Sequence, residues 1–194
     1  MKKILLASMA LSLAGAAVAG QIDVIDSADA QPGTYFTPTD AQKLDSPYYR
    51  DYSGDWGWTH NALTDPFAVA TLNISAYDVD YSSGERDEIF AWDTQSSAWL
   101  SLGFLAGGDN IWQFSSFGVL ASLFDEVGTG LKVRIDIDTT HTSPYWGVSL
   151  AKSTLTTDGE GPGNPNPGVP DSGDSLLLLG LGLGALQLFR RRCA

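Results

Sequence analysis

Cysteine occurs once in this 194-residue chain, at Cys193. No disulfide can form within the chain, so its fold rests on a packed core or on bound ions rather than on cross-links. Zinc chemistry is equally short of ligands. Histidine occurs only at His60 and His141, too few beside one remote cysteine for a tetrahedral nitrogen and sulfur site. No GxSxG or other nucleophile motif is present, so a Ser-His-Asp hydrolase lacks its usual signature. Positive charge is scarce as well. Eleven Lys and Arg stand against 23 Asp and Glu, a formal charge of -12. Lys2, Lys3, Arg190, Arg191 and Arg192 lie at the ends, which leaves six basic against 21 acidic residues between positions 21 and 170. Such a body repels phosphate backbones and anionic membranes, and nucleic acid is excluded as a partner.

Extended apolar runs are missing from the interior and sit at the two ends. Lys2 and Lys3 precede "ILLASMALSLAGAAVA", which closes on Ala17, Val18 and Ala19. A basic start, an apolar stretch and a small-residue cleavage site form a secretory signal peptide, here residues 1–20, cut after Ala19 or Gly20. The secretion machinery is therefore an expected partner. No cysteine stands directly after the cut, so a lipoprotein anchor is not expected. The second run, residues 175–189, would be roughly 22 Å long as a helix, against a hydrocarbon core of about 30 Å. Arg190, Arg191 and Arg192 extend its reach to the headgroups and act as a membrane stop on the cytoplasmic side. Gly180, Gly182 and Gly184, and the lack of a polar face, argue against a helix on the surface of a soluble domain.

Just before that run stand Val169, Pro170, Asp171, Ser172 and Gly173. This motif, the apolar segment and the arginine cluster, in that order over residues 169–194, resemble the VPDSG-CTERM sorting signal, a variant of the PEP-CTERM signals of Gram-negative bacteria. The resemblance implies an inner-membrane-anchored precursor. An exosortase, a membrane-embedded cysteine protease, cuts it near the motif. The product is then released or attached at the cell surface, often alongside exopolysaccharide. The resemblance implies nothing about the activity of the body. Pro170 and Gly173 disfavour helix, so the motif is expected to be extended and open to a protease.

Between the ends, residues 21–50 read as an extended lead-in with room for one early strand. Residues 158–168, rich in Gly, Pro and Asn, read as a linker. Residues 51–157 read as a β-sandwich domain. All six tryptophans fall between 56 and 146. Strand-like runs recur there as "FAVATLNISAYDV", "EIFAWD", "AWLSLGFL", "IWQFSSFGV", "LKVRIDID" and "YWGVSLAKSTL", separated by Gly, Asp, Asn and Ser clusters. "GVLASLFDE" suits a short helix or one more strand. Many short strands and no long helix predict an all-β fold, a single jelly-roll-like β-sandwich. Alternation adds detail: Leu131, Val133, Ile135 and Ile137 share one face, and Trp146, Val148 and Leu150 make a second inward set.

The densest acidic stretch is "YDVDYSSGERDE", which offers Asp78, Asp80, Glu85 and Asp87 as candidate calcium ligands around a turn. The spacing is not that of an EF-hand. Asp78 shares the parity of Leu72, Ile74 and Ala76, which places it at the rim of the core face, where a bare charge is costly. The alternative is an ordinary solvated loop. "DWGWTHN" places Trp56, Trp58 and His60 on one face if extended. Exposed, Trp56 and Trp58, together with Trp112, would form a ligand-binding platform that stacks on sugars; buried, they are core. A paired-carboxylate glycosidase is weakly indicated, because among so many acidic residues some pair always qualifies.

The body is also similar to domains found upstream of PEP-CTERM-type signals. These share a W-x-W-T-H entry, an A-Y/W-D-V-D strand, a G-E-x-D turn and a late D-I-D strand, here at residues 56–60, 76–80, 84–87 and 136–138. That similarity implies a β-sandwich and no particular reaction. The expectation is an exported, exosortase-processed surface or matrix protein without catalytic role, with calcium as cofactor and exopolysaccharide as a partner. The alternatives are a carbohydrate-binding module and, third, a small glycan-active hydrolase.

Overall fold

The structure is a computed structural model that describes residues 20–28, 33–141 and 146–158. The chain divides into two compact units, residues 1–163 and 164–194, and the described residues belong to the first. The leader 1–19, the membrane run 175–189, the sorting motif at 169–173, Arg190, Arg191, Arg192 and all of the linker beyond Asp158 lie outside the described residues. Among those described, no helix is long and apolar enough to cross a membrane.

Nine strands occur in this part: β1 (Ile22–Ile25), β2 (Arg50–Asp51), β3 (Trp56–Thr59), β4 (Ala70–Tyr77), β5 (Glu88–Asp93), β6 (Ala98–Phe104), β7 (Trp112–Gly118), β8 (Lys132–Asp136) and β9 (Gly147–Thr157). One sheet runs β1-β9-β4-β7, with β2 also on β9; the other runs β3-β8-β5-β6. Every ladder is antiparallel. β1 pairs with β9, β3 with β8, β4 with β7 and β5 with β6. This is one long hairpin of strand pairs, wrapped so that successive pairs fall on alternate sheets, which is the jelly-roll order. The expected fold is therefore the observed one. "EIFAWD" is β5 to the residue, and "GVLASLFDE" ends in a short helix, α1 (Phe124–Thr129).

Alternation decides what is inside. Leu131, Val133, Ile135 and Ile137 are all buried, as are Leu72, Ile74 and Ala76 of β4, Ile89 and Ala91 of β5, and Val148 and Leu150 of β9. Leu123 and Val127 of the α1 segment close one end of this core. β9 carries a bulge. Ala76 faces Leu150 while Ser75 faces Lys152, so Ala151 is the extra residue. The bulge reverses the parity beyond it. Leu150 points inward, and so do Ser153 and Leu155, while Lys152 stays exposed.

Residues 21–51 cover one edge of β9 in three pieces. β1 pairs with residues 153–156, Phe36 bridges to Leu150, and β2 pairs with Gly147 and Val148. The registers also define two poles. Gln21 and Thr157, Val69 and Asp158, Gly118 and Leu63 lie at the pole where the body begins and ends. At the opposite pole lie the loops 78–87 and 105–111, and the turn that follows β8.

Candidate functional site

That opposite loop pole gathers the acidic residues. Asp78 follows β4 with φ of 67°, a left-handed value that Asp tolerates better than most residues. Both its oxygens are occupied: the Tyr49 hydroxyl donates to Oδ2 at 2.9 Å and Asn110 N donates to Oδ1 at 2.7 Å. These bonds offset the cost of a charge at the core rim. Burial, and then the bond to Asp78, pushes the Tyr49 hydroxyl above the usual tyrosine range. Asp80 stands beside Asp78, and Asp109 arrives from the loop between β6 and β7. One oxygen from each of Asp78, Asp80 and Asp109 lies within 4.8 Å of the others. Burial, and then the charges of Asp78 and Asp109, raise the Asp80 carboxyl.

Glu85 and Asp87 stand apart from this trio. A 3-10 turn, Tyr81–Ser83, ends on Gly84 at φ 115°, which a side chain would strain, and the chain returns inward. Both carboxylates are fully buried. Asp80 N donates to Glu85 Oε2 at 2.6 Å, and Asp138 N donates to Asp87 Oδ1 at 2.9 Å. Among the described residues, Glu85 Oε1 and Asp87 Oδ2 have no hydrogen-bond partner. Burial above all raises both carboxyls well beyond their ordinary range. Repulsion from Asp87 adds to this at Glu85, and repulsion from Asp138 adds to it at Asp87. The expected ligand set of four thus divides into two of an outer trio and an inner pair. Asp109 was outside that set. The β4–β7 register, with Tyr77 opposite Trp112, is what brings it to Asp78. The inner pair has raised carboxyls but no exposure, so it offers no cleft in which a glycosidic bond could sit.

The aromatic residues sort differently. Trp56 and Trp58 are only 7% and 5% exposed and pack at 6.4 Å from each other, with Phe36 edge-on to Trp58 at 5.2 Å. These two are core, and the expected sugar platform is not built from them, because β3 turns its even-numbered residues inward. Trp112 is half-buried on the outer face of the five-stranded sheet. It packs on Tyr77 at 5.2 Å, and its Nε1 donates to Asp40 Oδ1 at 2.5 Å. The outward aromatics of the four-stranded sheet include Phe90, Trp92 and Trp99, with Phe104 exposed at the end of β6 opposite Glu88. Trp92 and Trp99 face each other across the β5–β6 ladder with rings 5.4 Å apart. The Arg134 guanidinium lies 4.8 Å from the Trp99 ring centre and 4.9 Å from that of Phe90. Asp55, Gly57, Trp99 and Arg134 line an open groove of about 280 Å³. Parity within "EIFAWD" was the available signal: with Ile89 and Ala91 inward, Phe90 and Trp92 face out.

A third constellation crosses the core. His60 Nε2 lies 2.8 Å from Ser153 Oγ, and its Nδ1 lies 2.7 Å from Asp23 Oδ2. The order matches a hydrolytic triad, but Ser153 and His60 are buried, at 0% and 1% exposure. No substrate carbonyl reaches Ser153 Oγ through two packed sheets. Burial pulls the His60 imidazole below its usual range despite Asp23. Burial alone would raise Asp23, and the bonds from Asn61 and His60 outweigh it and lower the carboxyl.

Comparison with known proteins adds the following. Residues 168–193 match the family described as VPDSG-CTERM motif. The tail thus carries a sorting signal of the VPDSG-CTERM type, which implies export, exosortase-type processing and surface display. A comparison with curated proteins gives no match. Among solved structures, a mutant of Xylanase10C from Cellvibrio japonicus in complex with xylopentaose is similar, at 10% identity and TM-score 0.38. The match covers 72% of this chain and 27% of that one. The xylan-binding module CBM15 is similar at 14% identity and TM-score 0.36, over 70% of this chain and 90% of that one. Tobacco streak virus coat protein is similar at 13% identity and TM-score 0.26, over 61% and 94%.

Proposed function

We propose that this chain is an exosortase-processed cell-surface or extracellular-matrix protein whose sandwich has no catalytic role, binds calcium and associates with exopolysaccharide. The observation that carries the reading is the tail: motif, apolar segment and arginines in the order that residues 168–193 share with the VPDSG-CTERM family. The body suits display. Its described part begins at Gly20 and ends at Asp158 at one pole, opposite the acidic loops. The burial of Ser153, Glu85 and Asp87 supports a non-catalytic role, because none of them can touch a substrate. The test is cell fractionation with mass determination of the mature C-terminus. Replacing Pro170 and Asp171 with Ala, or Arg190, Arg191 and Arg192 with Gln, should leave uncut precursor in the inner membrane. Normal cutting and surface display of both variants would sink the reading.

A second reading, glycan binding, has its own observation in the outward face of the four-stranded sheet. Trp99, Trp92 and Phe90 supply ring faces, and Arg134 and Asp55 supply a donor and an acceptor beside the open floor left by Gly57. Apolar ring faces with a few polar groups are what a neutral polysaccharide recognises. Affinity electrophoresis in gels cast with neutral polysaccharides tests it. Retardation of the wild type, lost in Trp99→Ala, supports this reading, and unretarded wild type ends it.

A further inference from the structure

We propose that the loop pole holds a divalent cation on the buried pair Glu85 and Asp87, and that the cation is calcium. The inference deepens the calcium part of the reading above and rests on it.

The geometry is specific about what is missing. Each carboxylate has one oxygen fixed by a backbone amide, from Asp80 N and from Asp138 N, and one oxygen with no partner. Both side chains are at 0% exposure, so water does not serve those free oxygens from bulk. Arg86, which lies between them in the chain, is turned elsewhere. Its Nη1 donates to the carbonyls of Tyr81 and Glu85, and its guanidinium covers the Tyr81 ring at 4.1 Å. Among the described residues, neither carboxylate forms a salt bridge. Two carboxyl groups two positions apart, each buried with one unpartnered oxygen, require a positive charge or a proton. A shared proton serves one free oxygen as donor and the other as acceptor. A cation serves both as acceptors and also draws on the negative field of Asp78, Asp80, Asp109 and Asp138 around it.

The donors select the ion. All are oxygens, with no sulfur or imidazole among them, which disfavours zinc and copper. Magnesium keeps several waters and demands octahedral geometry, whereas calcium accepts irregular sets of carboxylate and carbonyl oxygens from loops. The outer trio does not make the site. Both oxygens of Asp78 already accept a hydrogen bond, and Asp109 is exposed and bonded to Asn110 Nδ2, so no member of the trio offers a buried oxygen in need of a partner. The charges of the trio raise the local cation concentration.

The test uses the full-length chain in detergent, with calcium ions as the probe. Native mass spectrometry should show one calcium retained after buffer exchange and removed by EDTA, with a fall in melting temperature on removal. Glu85→Gln with Asp87→Asn should lower calcium affinity by more than about 100-fold, while Asp80→Asn with Asp109→Asn should lower it by about 10-fold. The first variant, freed of its buried like charges, should melt higher than calcium-free wild type, which shows that it has folded. Terbium luminescence gives an independent location. Trp146 lies against Gly84, at 3.2 Å from where a Cβ would stand, and should sensitise a bound terbium ion. A metal-free wild type whose melting is indifferent to EDTA overturns the proposal. So does undiminished binding by the Glu85→Gln, Asp87→Asn variant, or loss of all binding in the Asp80→Asn, Asp109→Asn variant alone. Surface localisation of the same variants, scored by fractionation, separates any such failure from failure of the export reading.

Discussion

Asp23 and His60, 37 positions apart, meet at 2.7 Å between the two sheets, and the imidazole hands the contact on to Ser153. Three segments are joined by this line: β1, the chain just after β3, and β9. Asn61 adds two more bonds to the same carboxylate, from its backbone N at 3.0 Å and from Nδ2 at 2.9 Å. The arrangement clamps the first strand of the body to the core of both sheets.

The clamp predicts a pH dependence. The His60 imidazole is pulled below its free value, so unfolding takes up a proton in mildly acid solution. Its stabilising contribution is complete above about 6.5, the free histidine value, and is lost as pH falls below it. The gap in melting temperature between wild type and His60→Gln should therefore narrow from pH 7 to pH 5. A gap that stays constant over that range would mean that His60 carries the same charge folded and unfolded.

Ser153 is expected to be a structural hydroxyl. Ser153→Ala leaves His60 Nε2 buried without its partner and should cost about 1–3 kcal/mol. Fluorophosphonate probes, which label accessible catalytic serines, should leave Ser153 untouched in folded protein. Stoichiometric labelling at this residue would contradict its burial.

Trp56 and Trp58 should resist quenching by acrylamide in the native state. Trp58→Ala should destabilise by about 3–5 kcal/mol through the cavity it leaves. If that variant melts like the wild type, Trp58 does not pack in the core.

Gly57 is an exposed strand residue that should not tolerate even a methyl group. A Cβ there would lie 2.7 Å from the Val133 carbonyl oxygen. Gly57→Ala should cost about 1–3 kcal/mol by overpacking, measured by denaturant unfolding. A neutral result would mean that β3 and β8 can part at that point without loss.

Much of the fold was legible because period-2 alternation is a local signal. Val133, Ile135 and Ile137 announce their face within a single strand, and β5 could be bounded to the residue. The same signal marks Phe90 and Trp92 as outward. It misses what depends on pairing. Ser153 faces the core only because the bulge at Ala151 shifts parity, and nothing in "SLAKSTL" marks that shift. Asp109 reaches Asp78 through the β4–β7 register, across about 30 residues of chain that carry two other strands. Residues 21–50 lack periodicity because they cover the edge of β9 in short pieces, each too brief to alternate. The division of the acidic turn into an outer trio and an inner pair follows from a single 3-10 turn and one left-handed glycine.

β9 has eleven residues and lies inside its sheet, flanked by β4 on one edge and by β1, Phe36 and β2 on the other. It is also the strand from which the chain leaves for the tail. A pull on the tail therefore enters at Thr157 and travels along the axis of β9. The ladder bonds lie across that axis, so they are loaded in parallel, as in shear, instead of parting one after another as in a zip. With the second handle on the opposite loop pole, single-molecule extension from the C-terminus should accordingly show one high-force rupture rather than a staircase. A pull between Gln21 and Thr157, neighbours at one pole, would instead unzip the β1–β9 ladder. The strand order that closes the core also makes the attachment point the strand hardest to extract.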